Sequence, residues 1–327
     1  MSSRSTLWSV ITVVVFVFGT LASLPGVSTA QPLNISWGGS APGGVMYYIV
    51  GTGANVINRE LPQYNITQVS TGGSTENAKR LIKGELDMGI VYGAHVYQAL
   101  RLEEGFANGP RGTMLHGVAK LYSAPTYFVT TPDSGIRSMS DLVGKKVAIG
   151  PPGSGTVFNS SKILTALGLI DKIEPTQLTF ADAARAIANR QIDCFAQSSA
   201  PAAGVKELAE GPKGAYVIPF TDEEMEKILE HAPFFFPAVM PEGTYKGVPD
   251  VLLPTLTVYW VAHERVPAEV VRDILEVVYK DEIRKELEQG YSTWSQLKPD
   301  TKSYLALGGT IHAGAEAYYK ANGLWEE

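Results

Sequence analysis

The chain has 327 residues, of which 45% are hydrophobic and 18% charged. That composition is globular rather than disordered, and at ~150 residues per domain the length gives room for about two domains. A net charge of −6 leaves no electrostatic footprint for nucleic acid, and the single cysteine, Cys194, excludes an intrachain disulfide, a CxxC redox pair and a cysteine-rich zinc site.

Arg4 is followed by an apolar run from Leu7 to about Leu24, then Pro25, Gly26 and the small triplet Ser28-Thr29-Ala30. A charged start, an apolar middle and a small-residue exit predict a signal peptide over residues 1–30, cleaved after Ala30. No later run reaches the ~18 apolar residues a membrane span needs. A large exported protein without disulfides fits the bacterial periplasm.

The rest reads as alternating strands and helices. Leu33 to Trp37 is a short strand that runs into the loop GGSAPGG and a helix over Val45 to Glu60. Tyr64 to Ser70 is the next strand; TGGS opens a helix from Thr75 to Lys83, Gly84 stops it, and Met88 to Tyr92 is a buried-type strand. Gly117 to Thr131 is a long extended segment. A second cycle begins at Lys146: strand Val147 to Gly150, loop PPGSGT, helix Val157 to Leu167 with Gly168 as its stop, strand Gln177 to Phe180, helix Ala181 to Asn189, strand Cys194 to Gln197. Tyr216 to Phe220 is a strand, and Asp222 to His231 is a helix capped by Thr221. Leu256 to Ala262 is a second long apolar strand. Pro267 opens a helix to about Tyr279, and Ala313 to Lys320 is another.

The two cycles match. GELDMGIVYGA corresponds to NRQIDCFAQSSA, and the strand–glycine loop–helix openings correspond as well. Two like-built α/β lobes, each around its own doubly wound sheet and joined by the two long strands as hinges, are therefore expected. Residues 31–124 and 260–327 would form lobe 1, and residues 125–259 lobe 2.

Three loops end a strand and start a helix: residues 38–44, 71–74 and 151–156. Glycine lets backbone approach a ligand closely, and the first turn of a helix offers unpaired N–H groups and a positive dipole end. An ordinary βα turn is the alternative for any one of them. Residues 150–156 mimic a phosphate-binding P-loop, but Thr156 directly follows Gly155, so the lysine is missing and no nucleotide site is expected. The five histidines are scattered, there is no HExxH pair and no GxSxG elbow, and Cys194 lies in an apolar strand. Asp87 and Asp193 hold equivalent strand-start positions, where capping a helix–strand junction is favoured over acid–base work. Tyr47, Tyr92, Tyr122 and Tyr127 are pocket or core aromatics. Neither an enzyme nor a bound cofactor or metal is expected.

The segments GGSAPGGVMYY, STGGSTENAKRL, GELDMGIV, DSGIRSMSDLVGKKVAIGPPGSGT, IDCF, EGTYKGVPD and IHAGAEAYYKANG together resemble the TAXI family, the solute receptors of tripartite ATP-independent periplasmic (TRAP) transporters. The resemblance spans about Leu33 to Gly323. It implies a two-lobe type II periplasmic-binding-protein fold that closes on a small carboxylate or amino acid such as glutamate. It also implies delivery to TRAP membrane permease subunits, driven by an ion gradient. By position, Ser40, Gly43, Gly44, Tyr47, Thr71, Gly72, Ser74, Asn77, Ser154, Gly155, Thr156 and Asn159 match the motif loops; Tyr92, Tyr122, Gln197 and Ser198 complete the expected ligand-binding set. The family usually has Gln followed by Ser or Thr where Tyr92-Gly93 stands, so ligand identity is not carried over. Receptors of the other TRAP class hold dicarboxylates with an arginine clamp. These loops contain no arginine, and amide and hydroxyl recognition is expected instead. The partners expected are thus a small anionic or zwitterionic solute and a permease, with the receptor a monomer. A receptor for an ABC permease or sensor, or an enzyme on the same scaffold, are the alternatives.

Overall fold

The structure, a computed structural model, describes residues 31–326; the expected leader lies outside the described residues. The first cycle is β1 (Leu33–Gly38), α1 (Val45–Glu60), β2 (Tyr64–Val69), α2 (Ser74–Ile82), β3 (Met88–Tyr92) and α3 (Gly93–Arg101). β4 (Leu115–Thr130) leads to the second: β5 (Lys146–Ala148), α4 (Gly155–Ala166), β6 (Glu174–Thr176), α5 (Phe180–Ala188), β7 (Cys194–Ser198) and α6 (Ala203–Glu210). β8 (Tyr216–Val217), α7 (Asp222–His231), β9 (Phe236–Met240) and β10 (Val251–His263) follow. The chain then turns helical through α8 (Ala268–Val278), α9 (Asp281–Gly290), α10 (Thr301–Ala306) and α11 (Ala313–Ala321), interrupted by β11 (Thr310–Ile311). No helix among the described residues is long and apolar enough to cross a membrane.

Local chemistry sets the element ends. Thr221 and Glu224 form a reciprocal capping box at the start of α7. Gly84 and Gly168, with left-handed φ values of 69° and 65°, follow α2 and α4 as stops that a side chain would strain. The strand expected over Gln177 to Phe180 is not formed: β6 ends at Thr176, and Thr179 instead caps α5 by accepting from Asp182 N–H at 3.1 Å. A local cap thus outcompetes the β-propensity of the apolar residues. Pro267 is the N-cap of α8 rather than its first helical residue.

The strands form one sheet in the order β2-β1-β3-β10-β4-β7-β5-β6, with β11 and β8 also on β4 and β9 on β10. β1 is parallel to β2 and β3, and β5 is parallel to β6 and β7. β10 runs antiparallel to both β3 and β4. β4 pairs with β10 from Leu115 to Pro125 and with β7 from Thr126 to Val129, so it changes partner at a proline. The halves therefore repeat one arrangement: β2-β1-β3 closed by antiparallel β10, and β6-β5-β7 closed by antiparallel β4. The two long strands expected as crossovers are these closing strands. Trp37 of β1 stacks on Trp260 of β10 with ring centroids 4.2 Å apart, and Trp294 meets Trp37 edge-on at 6.4 Å. Aromatic contacts of this kind contribute ~0.5–1.5 kcal/mol each beyond the area they bury. α8 and α9 pack back on α1, and Arg59 of α1 pairs with Glu286 of α9.

Candidate functional site

β1, β2 and β3 run in one direction and β5 and β7 in the opposite one, so the C-terminal ends of the two sets, where ligands sit in open α/β folds, face each other. Their loops meet around a small cavity. Ser40, Gly44, Gly72, Ser74 and Tyr92 reach it from the first cycle, and Ser154, Gly155, Thr156 and Ser198 from the second. The same wall carries Gly73 of the 71–74 loop, together with Val45, Met46, Phe180 and Ser199, which the sequence does not single out. The cavity volume is about 20 Å³, room for about one water.

The two sides touch. A Cβ on Gly72 would lie 2.5 Å from the Pro152 carbonyl oxygen, and one on Gly155 would run into the Tyr92 ring. Glycine is required at both places by close approach of the facing loop, rather than by backbone conformation. Lys162 of α4 forms an ion pair with Glu104, and Phe158 of α4 meets the His95 ring of α3 edge-on at 4.6 Å.

Three helices begin at the cavity. Neither Gly44 before α1 nor Gly73 before α2 supplies a side-chain cap, and Ser154 caps α4 only through Val157 N–H at 3.2 Å. Among the described residues the N–H groups of Val45, Met46, Ser74, Gly155 and Thr156 have no hydrogen-bond partner. The Thr156 side chain, 2% exposed, lines the cavity. Other amides near the cavity are satisfied within the chain. Gly72 N–H donates to Glu76 Oε2 at 2.7 Å, Gly73 N–H to Thr71 Oγ1 at 3.1 Å, and Tyr47 N–H to Ser40 Oγ at 3.1 Å.

Seven residues of the expected set lie off the cavity wall. Asn77 stands one turn into α2 and donates to the Gly39 and Ile90 carbonyls at 2.7 and 2.9 Å while accepting from the Thr71 hydroxyl at 2.7 Å. Asn77 and Thr71 thus tie two loops to β3. Asn159 holds the matching place in α4 and donates to Ser198 Oγ at 3.2 Å. Gln197 precedes Ser198 in β7 and so points to the opposite face of the sheet. Tyr122 accepts from Ser199 Oγ at 3.2 Å, and Tyr47 packs edge-on against Tyr48 at 5.5 Å. Gly43 turns at a φ of 88° beside Phe180.

Ser74 belongs to a buried pair that the sequence reading missed. Its Oγ accepts from Tyr92 N–H at 2.8 Å and lies 2.6 Å from His95 Nδ1. Burial, with Lys79 nearby, pushes the His95 pKa down to about 3, so the ring is neutral. His95 follows Ser74 by 21 residues, a spacing with no helical or strand signature. Burial likewise pushes the Tyr92 phenol up to about 12 and raises the Cys194 thiol, which keeps both protonated. Asp87 accepts from Ser36 N–H and Oγ at 2.8 and 2.7 Å, and Asp193 accepts from Lys146 N–H at 2.8 Å. Both carboxylates thus cap junctions at the far ends of the strands. No group of three His, Cys, Asp or Glu able to hold a metal occurs among the described residues.

Solved structures share this architecture. A protein from Bordetella bronchiseptica matches with a TM-score of 0.54 at 15% identity, over 89% of this chain and 98% of its own. A protein described as an L-cystine ABC transporter from Listeria monocytogenes matches with a TM-score of 0.52 at 14% identity, over 81% and 98%. A binding-protein component of an ABC phosphonate transporter from Pseudomonas aeruginosa matches with a TM-score of 0.52 at 12% identity, over 84% of each chain. At these identities the likeness establishes the fold, that of the type II periplasmic binding proteins. The model of the NMT1-like family matches residues 38–323, and the chain belongs to that family.

Proposed function

We propose that this protein is an exported solute-binding receptor that captures a small anion between its two halves and hands it to a membrane transporter. The observation that carries the reading is the convergence of α1, α2 and α4 on one cavity, with unpartnered first-turn N–H groups and the buried Thr156 side chain on its wall. Each such helix end favours an anion by ~0.3–1 kcal/mol, and up to ~2 when partly buried. Several together supply a fair part of the ~8 kcal/mol of a micromolar complex. Because the loops already touch, a solute enters only when the halves separate. β4 and β10 are the strands about which they would swing, with lobe boundaries near residues 124 and 260. The leader over residues 1–30 supports export to the periplasm, and the receptor would act as a monomer.

Two of the structural neighbours are named as parts of ABC transporters, which supports an ATP-driven permease as the partner. The motif series from Leu33 to Gly323 supports the TRAP reading, with an ion gradient as the driving force. Solute uptake into vesicles carrying receptor and permease separates them: ATP dependence selects the first and gradient dependence the second. The receptor reading itself is tested by native mass spectrometry of freshly purified protein and by thermal shift against a library of small anions. A cognate solute at 100 times its Kd should add about 2.7 kcal/mol of stability. No co-purified solute and no shift from any member of the library would sink the reading.

A further inference from the structure

We infer that the solute is a carboxylate or other oxyanion that carries no ammonium group, so that amino acids are not its cargo. The inference rests on the receptor reading above and narrows the class of solute. No Asp, Glu, Lys, Arg or His lines the cavity among the described residues. What the wall offers is donors: the amides of Val45, Met46, Ser74, Gly155 and Thr156, and the Thr156 hydroxyl. These suit an oxyanion, which accepts hydrogen bonds and needs no proton in return.

An ammonium group has the opposite demand. It brings three donors and a positive charge, and it is costly to bury without acceptors or a counter-charge. The wall's acceptors are largely taken. The Gly44 carbonyl accepts from Tyr47 N–H at 3.1 Å, the Gly73 carbonyl from Asn77 N–H at 2.8 Å, and the Ser199 carbonyl from the Tyr127 hydroxyl at 3.1 Å. Three helix N-termini add positive potential, which repels a cation. The one nearby carboxylate, Glu76, is off the wall and engaged by Gly72 N–H and by Arg80 at 3.3 Å. Val45, Met46, Tyr92 and Phe180 make the remaining surface apolar or aromatic, which fits the body of an organic anion.

The test is calorimetry on the full mature chain, stripped of any bound solute, with pairs that differ only by the amine: propionate and alanine, glutarate and glutamate, ethanesulfonate and taurine. Native mass spectrometry of the unstripped protein, with amine-selective labelling of the released solute, accompanies it. The expected result is at least a tenfold preference for the amine-free member of any pair that binds, and a co-purified solute that does not label. A smaller preference, a preference for the amine-bearing member, or a labelled co-purified solute overturns the inference while leaving the receptor reading intact. No binding in any pair together with no co-purified solute overturns both.

Discussion

At the start of α2, Gly72 N–H is held by the Glu76 carboxylate and Gly73 N–H by the Thr71 hydroxyl. At the start of α4, Ser154 takes only Val157 N–H, and the amides of Gly155 and Thr156 are left facing the cavity. The two loops use similar residue types, although β2 is the outer strand of its half and β5 the middle strand of its own. They differ by one acidic residue: α2 carries Glu76 in its first turn, whereas α1 and α4 carry none. A carboxylate at that place satisfies an orphan amide and offsets the dipole from within. Under the receptor reading proposed above, the anion's head group would sit on α4 and α1, and the α2 loop would be the wall that closes over it.

The sharpest way to break this assignment is Gly155→Ala. The added methyl meets the Tyr92 ring, so the halves are held apart and the α4 amides lose their facing surface. Solute affinity measured by calorimetry should fall by about 100-fold or more, the loss of roughly two charge-assisted hydrogen bonds. An unchanged affinity would mean that the closed contact is not the binding geometry.

The next effect concerns the α2 side alone, where His95 is buried and neutral. Its pKa is depressed by burial, with Lys79 adding, to about 3, below the ~6.5 of an exposed imidazole. The group's stabilising contribution is therefore complete above pH 6.5 and is lost as pH falls toward 3, by roughly 1 kcal/mol per pH unit. Denaturant unfolding of the wild type should weaken over that window, and His95→Gln should flatten the slope. Equal slopes in the two proteins would remove His95 from the account.

Thr156→Ala deletes the one buried cavity hydroxyl on α4 and should weaken solute binding about 10-fold, a hydrogen bond to a charged group. Ser74→Ala on the α2 side should have less effect, because that hydroxyl is already engaged by Tyr92 N–H and His95. Reversal of this order would exchange the roles of the two loops. The smallest change is a gain: Glu76→Gln removes a negative charge beside the cavity and should raise anion affinity by a factor of about 2–5, the size of one helix-end interaction.

Much of the scaffold is legible in the sequence because each device is local. Glycines after strands mark the loops, Gly84 and Gly168 mark helix ends, and Thr221 marks a cap. The long apolar strands could be read as β4 and β10 because nothing else that extended interrupts the alternation. α3 was not read, since GAHVYQALR follows Tyr92 with no cap or polar break, and its helical form depends on packing over β10. β9 was missed because FPAVM contains a proline that only a strand edge tolerates.

The site divides in the same way. Residues at the last strand position or first helix position, such as Ser74, Gly155, Thr156 and Ser198, reach the cavity, and their place follows from the element ends. Residues one turn deeper, Asn77 and Asn159, match the motifs just as well, but the helix carries them behind the wall. Phe180 comes from the start of α5, where no local signal marks it, and Ser199 directly follows Ser198, past the end of β7. The difference between the α2 and α4 loops was legible all along in Glu76, three residues beyond Gly73.

β10 lies between β3 and β4, and it is made late. A growing polypeptide that has completed β1, β2, α2 and β3 still has the backbone edge of β3 bare, and the Trp37 ring without Trp260 to cover it. Neither is satisfied until residues 251–263 emerge. The N-terminal half thus lacks its closing strand until most of the chain has been synthesised.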